Sequence, residues 1–158
     1  MAVVDLEGDP SEGAGKIGIV VSKWNSFITD KLLEGALDIL NKKGYSDQDI
    51  VVVRCPGAYE IPSAASRLLP KVDGIITLGA VIRGETPHFD YVCDAVNRGV
   101  TDLNLNTGKP VTFGVLTTDT AQQASQRADA ESSKGNKGAE AALACLEMLS
   151  LHRKIDNL

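Results

Sequence analysis

Apolar runs and helically spaced apolar positions alternate along this chain. Lys16–Ser22 (KIGIVVS), Asp49–Arg54 (DIVVVR), Gly74–Leu78 (GIITL) and Val111–Leu116 (VTFGVL) are short and rich in β-branched residues. Runs that are apolar throughout are the pattern of strands buried on both faces. After the first run, Ile28, Leu32, Ala36, Ile39 and Leu40 repeat at helical spacing and stop at Gly44. Cys55-Pro56-Gly57 breaks the second run, and Pro62 suits the first turn of a helix reaching Leu69. A further helix is predicted from Pro87, with Thr86 as N-cap and Phe89, Val92, Cys93, Val96, Val100 and Leu103 on one face. It ends before Gly108-Lys109-Pro110. Asp119 with Gln122 predicts a capping box for a short helix through Arg127. A polar loop, Asp129–Gly138, then leads to a last helix that turns Ala139, Ala142, Leu143, Leu146 and Leu149 inward.

Strands that alternate with helices and are apolar on both faces form a parallel sheet covered on both sides. The expected fold is α/β and doubly wound, a flavodoxin-like three-layer sandwich around a central, mainly parallel four-stranded sheet. Residues 16–158 form its single domain. Residues 1–15 form a polar leader in which Val3-Val4 is a candidate further strand. Ligands of open α/β sheets sit beyond the carboxyl ends of the strands. Trp24-Asn25 follows the first strand, Pro56–Glu60 the second and Ala80–His88 the third. One site built from loops distant in sequence is expected.

Charge narrows the ligand class. The net charge is −5 and Lys and Arg form no run, which disfavours nucleic acid or a membrane surface as partner. An anionic substrate needs local cations, and Arg83, Arg127, Lys134 and Lys137 are the candidates. Cys55, Cys93 and Cys145 are odd in number and far apart, as in a reduced cytosolic protein. None pairs with a histidine at metal-ligand spacing, so no metal site is expected. The first fifteen residues lack the basic and apolar regions of a signal peptide, and no apolar run approaches the ~20 residues of a membrane span. Cytoplasmic location is the expectation.

Candidate chemistry concentrates in Gly79–Tyr91, GAVIRGETPHFDY. His88 at the start of a helix brings an imidazole, which exchanges protons near neutral pH, beside free backbone N–H groups. Gly84, Glu85 and Thr86 resemble an anion-binding turn, although a turn that merely needs Gly84 for its backbone angles competes with that view. Trp24, the only tryptophan, either stacks on a planar heterocycle or covers the core. Glu60 either receives hydrogen bonds from a polyol or amine, or stabilises a helix start. Arg127 and Lys137 either reach a phosphate or simply serve helix ends and solvent. Cys55 near His88 raises a Cys–His nucleophile, with no third orienting group to support it. These residues suggest a small anionic substrate, aromatic stacking and proton transfer, but name no reaction.

The assembled motifs closely resemble the lumazine synthase family of riboflavin biosynthesis. They are Trp24-Asn25-Ser26-Phe27-Ile28-Thr29, PGAYEIP at Pro56–Pro62, GAVIRGETPHFDYV at Gly79–Val92, FGVLTT at Phe113–Thr118 and GNKGAEAA at Gly135–Ala142. They occur in family order and cover nearly the whole chain beyond the leader. The resemblance implies a transferase that condenses 5-amino-6-ribitylaminouracil with 3,4-dihydroxy-2-butanone 4-phosphate, without metal or organic cofactor. By position, Trp24 and Asn25 stand where the family stacks an aromatic on the pyrimidine. Ala58, Tyr59 and Glu60 match the segment holding the uracil and its ribityl chain, and Ala80, Val81 and Ile82 a backbone stretch that reads the same substrate. Gly84, Glu85 and Thr86 match the phosphate loop, His88 the proton-transfer residue and Arg127 the arginine on the phosphate. Phe113 matches a residue supplied by an adjacent subunit. Lys137 also falls within a matching motif, but the preceding linker is longer than in many members.

The resemblance further implies a homo-oligomer, a pentamer that can assemble further, with the leader adding a strand to a neighbouring subunit. Riboflavin synthase is the implied protein partner. The alternative is a non-catalytic flavin- or lumazine-binding protein on the same scaffold. Bound flavin without turnover would mark it.

Overall fold

The computed structural model describes residues 2–158. Its centre is a four-stranded sheet of β1 (Ile17–Ser22), β2 (Ile50–Cys55), β3 (Gly74–Ile82) and β4 (Val111–Thr118). The spatial order is β2-β1-β3-β4 and every pairing is parallel. The doubly wound, flavodoxin-like architecture expected from the sequence is therefore present, with the sheet parallel throughout.

Side chains of the strands alternate between two cores. Ile17, Ile19, Val21, Ile76 and Leu78 pack beneath α1 (Ser26–Lys42) and α5 (Lys137–Asp156). Val20, Ile75, Val111 and Val115 face the opposite way, toward α2 (Ile61–Leu68) and α3 (His88–Thr107). A short α4 (Ala121–Gln126) follows β4. Burying both faces explains why the inner strands carry almost no polar side chains.

Two backbone approaches fix how α1 meets α5. A Cβ on Gly138 would fall on the Leu32 carbonyl, and one on Gly35 would meet the Asn136 side chain. Asn136 is buried and fully used. Its Oδ1 accepts from the N–H groups of Gly138 and Ala139, at 2.9 and 3.1 Å, and its Nδ2 donates to the carbonyls of Lys31 and Ala128, at 3.0 and 3.1 Å. One side chain thus caps α5 and ties it to α1.

Several local expectations shift. β3 continues four residues beyond Leu78, because β4 offers it partners as far as the Ile82–Thr118 pair. Gly79–Ile82 is therefore strand, and the turn begins at Arg83. Pro87, one residue after the predicted Thr86, is the N-cap of α3, and Thr86 Oγ1 lies 3.4 Å from the His88 N–H. Thr120, not Asp119, caps α4 by accepting from Gln123 N–H at 3.1 Å. On α5, Ala141 and Cys145 turn inward with Ala142, Leu146 and Leu149, whereas Ala139 and Leu143 are only half-buried. The rotation follows from bringing Gly138 against α1.

Residues 7–14 run beside α5 and the end of α1. Asp9 N–H donates to Ser150 Oγ at 3.0 Å, Lys154 Nζ to the Glu7 carbonyl at 2.9 Å, and Tyr45 Oη to the Ala14 carbonyl at 3.3 Å. Val3 and Val4 are exposed and pair with no strand among the described residues.

Cys145 sits wholly within the α5-side core, and burial pushes its thiol from 9.0 up to about 12. A proton held more tightly in the folded state makes the unfolded state the one that ionises first. Its contribution is complete below pH 9.0 and is lost as pH climbs toward about 12. Cys145→Ala is expected to flatten that alkaline loss of stability, measured by urea unfolding across this range. An equal slope in the variant would remove Cys145 as the cause.

Candidate active site

The carboxyl ends of β1, β2 and β3 are tied into a cleft of about 550 Å³. Lys23 N–H donates to the Cys55 carbonyl at 2.8 Å and Trp24 N–H to the Pro56 carbonyl at 2.9 Å, joining the loops after β1 and β2. Asn25 then adopts the left-handed conformation, φ 64° and ψ 46°, which short polar side chains tolerate. Its Nδ2 donates to the Ala80 carbonyl at 2.9 Å and ties the same loop to β3. Asn25 is thus a joint for the walls.

Trp24 is 74% exposed, so it does not cover the core; its indole presents an open face at the cleft. Tyr59 is exposed opposite the same space. Glu60 uses one carboxylate oxygen to accept from Gly57 N–H at 3.0 Å, and the other takes no hydrogen bond among the described residues. Both uses weighed for this carboxylate are therefore open to it at once. Ala58, Ala80, Val81 and Ile82 complete the apolar lining, with Val92 below.

His88 stands at the rim of this cleft as the first residue of α3. It is exposed, and its ring makes no hydrogen bond among the described residues. The preceding Gly84, Glu85, Thr86 and Pro87 are all exposed and outside the cleft lining. Gly84 has no positive φ, and a Cβ added there meets nothing within 4 Å. Backbone angles do not demand this glycine, so the competing explanation for it falls.

Phe113, Arg127 and Lys137 are elsewhere. They line a second cleft of about 590 Å³ along the outer edge of β4. Within one chain these three stand apart from the cleft lined by the loops after β1, β2 and β3. Arg127 donates from Nη1 to the Gln123 carbonyl at 3.0 Å, capping α4, and makes no ion pair among the described residues. Its guanidinium keeps further donors for an anion. Lys137 is paired with Glu140 at 3.1 Å. Of the four candidate cations, Arg83 is held by Asp119 at 2.9 Å and by Asp90 at 3.6 Å. The hydrogen bond that Arg83 donates to Asp119 holds its guanidinium above the ordinary range.

A Cys55 nucleophile finds no support. Cys55 is buried outside the cleft lining, its Sγ donates to the Gly57 carbonyl at 3.5 Å, and burial with nearby Glu60 pushes its thiol up. The sequence reading missed Asn136, although asparagine just before a helix is itself a cap signal. It also missed the Arg83–Asp119 tie, for which no local spacing exists.

A parallel sheet with an aromatic-walled cleft over its carboxyl ends is the open α/β architecture, the class of fold whose ligands sit beyond the strand ends. The sequence model of the 6,7-dimethyl-8-ribityllumazine synthase family matches residues 14–153, which span all four strands and nearly all of α5. The chain belongs to that family, which implies a transferase of the riboflavin pathway. Among the described residues no helix is long and apolar enough to cross a membrane.

Proposed function

We propose that the protein condenses 5-amino-6-ribitylaminouracil with 3,4-dihydroxy-2-butanone 4-phosphate to 6,7-dimethyl-8-ribityllumazine, phosphate and water. The observation that carries this reading is the exposed Trp24 face in one cleft with Glu60 and His88. A planar pyrimidine stacks on the indole, and its ribityl hydroxyls donate to the free oxygen of Glu60. The 5-amino group attacks the ketone carbonyl, and loss of water gives an imine. Phosphate then leaves by elimination. Loss of the C3 proton with that phosphate leaves an enol, which tautomerises to a new C3 carbonyl and a methyl group. The ribitylamino nitrogen closes the second ring on this carbonyl, and a second water is lost. Each step moves protons, and His88 carries them between nitrogen, carbon and oxygen. Holding the two substrates together supplies much of the remaining acceleration.

In this reading Gly84, Glu85 and Thr86 receive the phosphate with Arg127 of a neighbouring copy, whose Phe113 closes the pyrimidine pocket. Lys137 stands beside that neighbouring arginine. No organic cofactor or metal takes part. Five of the seven aromatic residues, Trp24, Phe27, Tyr59, Tyr91 and Phe113, are exposed in the isolated chain, which supports burial against further copies. The assembly is a homo-pentamer able to associate further, with riboflavin synthase as a protein partner in the cytoplasm. Val3-Val4 of the leader, residues 1–15, adds to the open apolar edge of a neighbouring β2, while residues 16–158 form the domain.

The test is an assay with both substrates that follows the lumazine chromophore, with Trp24 fluorescence reporting binding. Product formation supports the synthase. Tight riboflavin binding without product would mean a binding protein on this scaffold. Arg127→Ala is expected to raise KM for the phosphorylated ketone by ~10- to 100-fold, the scale of a lost hydrogen bond to a charged group, with pyrimidine binding unchanged. An unaltered KM would remove Arg127 from the phosphate.

A further inference from the structure

The first polar residue after β3 is Arg83, whose N–H, Nε and Nη1 reach the end of β4 on one side and the first turn of α3 on the other. Its N–H donates to the Thr118 carbonyl at 2.8 Å, extending the β3–β4 ladder by one bond. Its Nε donates to Asp119 Oδ1 at 2.9 Å, its Nη1 lies 3.6 Å from Asp90 Oδ1, and its guanidinium carbon stands 4.3 Å from the centre of the Phe89 ring. Phe89 and Asp90 directly follow His88. The fork therefore brackets the exposed turn Gly84–Pro87 from both ends.

The contacts continue past Asp119. Its N–H donates to Gln123 Oε1 at 2.8 Å, and the Gln123 carbonyl accepts from Arg127 Nη1 at 3.0 Å. Asp90, two residues past His88, is thus linked by way of Arg83, Asp119 and Gln123 to the arginine of the other cleft. The walls formed by Trp24, Asn25 and Pro56 have their own ties and no share in this linkage.

Resting on the proposed reaction, we propose that Arg83 is a positioning residue that holds the His88 turn in register with the Arg127-bearing α4, so that both half-sites of a chain adjust together. Arg83, Asp90 and Asp119 are about half-exposed or more, so the tie adds little to stability. Its effect is geometric, and small misplacements of reacting groups are costly.

Arg83→Met and Asp119→Asn, singly and together, test this in the two-substrate assay. Arg83→Met is expected to lower kcat about tenfold and raise KM for the phosphorylated ketone about threefold, leaving KM for the ribitylaminouracil within about twofold. The melting temperature should move by roughly 2–4 °C at most. Asp119→Asn should reproduce the pattern, and the double variant should be no worse than the poorer single, since one linkage is lost once. Losses that multiply, or both KM values rising together, would overturn the coupling, as would kinetics in Arg83→Met equal to the parent. Asp119→Asn is nearly isosteric and keeps the test valid if Arg83→Met does not fold. A parent protein that forms no lumazine overturns the reaction itself; an active parent with indifferent variants overturns only the linkage.

Discussion

Replacing His88 by alanine is expected to slow lumazine formation by about 10²-fold or more while the ribitylaminouracil still quenches Trp24 fluorescence. The separation follows from the geometry. The walls that hold the pyrimidine are tied by Lys23, Trp24 and Asn25 through hydrogen bonds of 2.8–2.9 Å, none of which involves His88. The imidazole stands free at the rim, where its removal leaves no buried group unpaired. The variant should therefore fold and bind as the parent does and lose only proton transfer. Equal kcat in parent and variant would show that solvent moves these protons. A parallel fall in binding would instead make His88 part of the pocket wall.

The second large effect is on the fold. Gly138→Ala is expected to cost ~3 kcal/mol and lower the melting temperature by roughly 6–12 °C. Helix propensity alone favours alanine by about 1 kcal/mol, so the sign is decided by contact. The new Cβ would fall on the Leu32 carbonyl, a backbone atom fixed within α1, and the Asn136 cap would be pushed from four hydrogen bonds at once. Gly84→Ala is the contrast, because its Cβ meets nothing and its φ is not positive. Its melting temperature should match the parent's. A Gly138→Ala protein as stable as the parent would mean that α1 and α5 can slide apart without loss.

β1 and β3 were legible because a strand buried on both faces has little choice of residue, and the partly exposed edge strands β2 and β4 because they are rich in β-branched residues. Their ends were not. Gly79 interrupts the apolar run before Val81 and Ile82, and only pairing with β4, distant in sequence, carries the strand through it. The phase of α5 was misjudged for a similar reason. Alanine is a weak marker of inside and outside, and the close approach at Gly138 sets the rotation. Asp119 and Thr120 are both competent caps, and what separates them is that Arg83 occupies the aspartate. For the site, residues following β1, β2 and β3 converge because those strands are neighbours. Phe113, Arg127 and Lys137 share motifs of equal clarity, yet nothing in their spacing says that they stand on another flank.

That division has a consequence for inheritance of function. Under the proposed reaction a chain lends its Trp24 and His88 to one site and its Phe113 and Arg127 to another. A single damaged polypeptide then spoils a site on either side of itself. Two chains damaged in different halves still meet, at some junctions, as an undamaged pair. On that reading activity belongs to the junction between copies, and a lone chain has none to pass on.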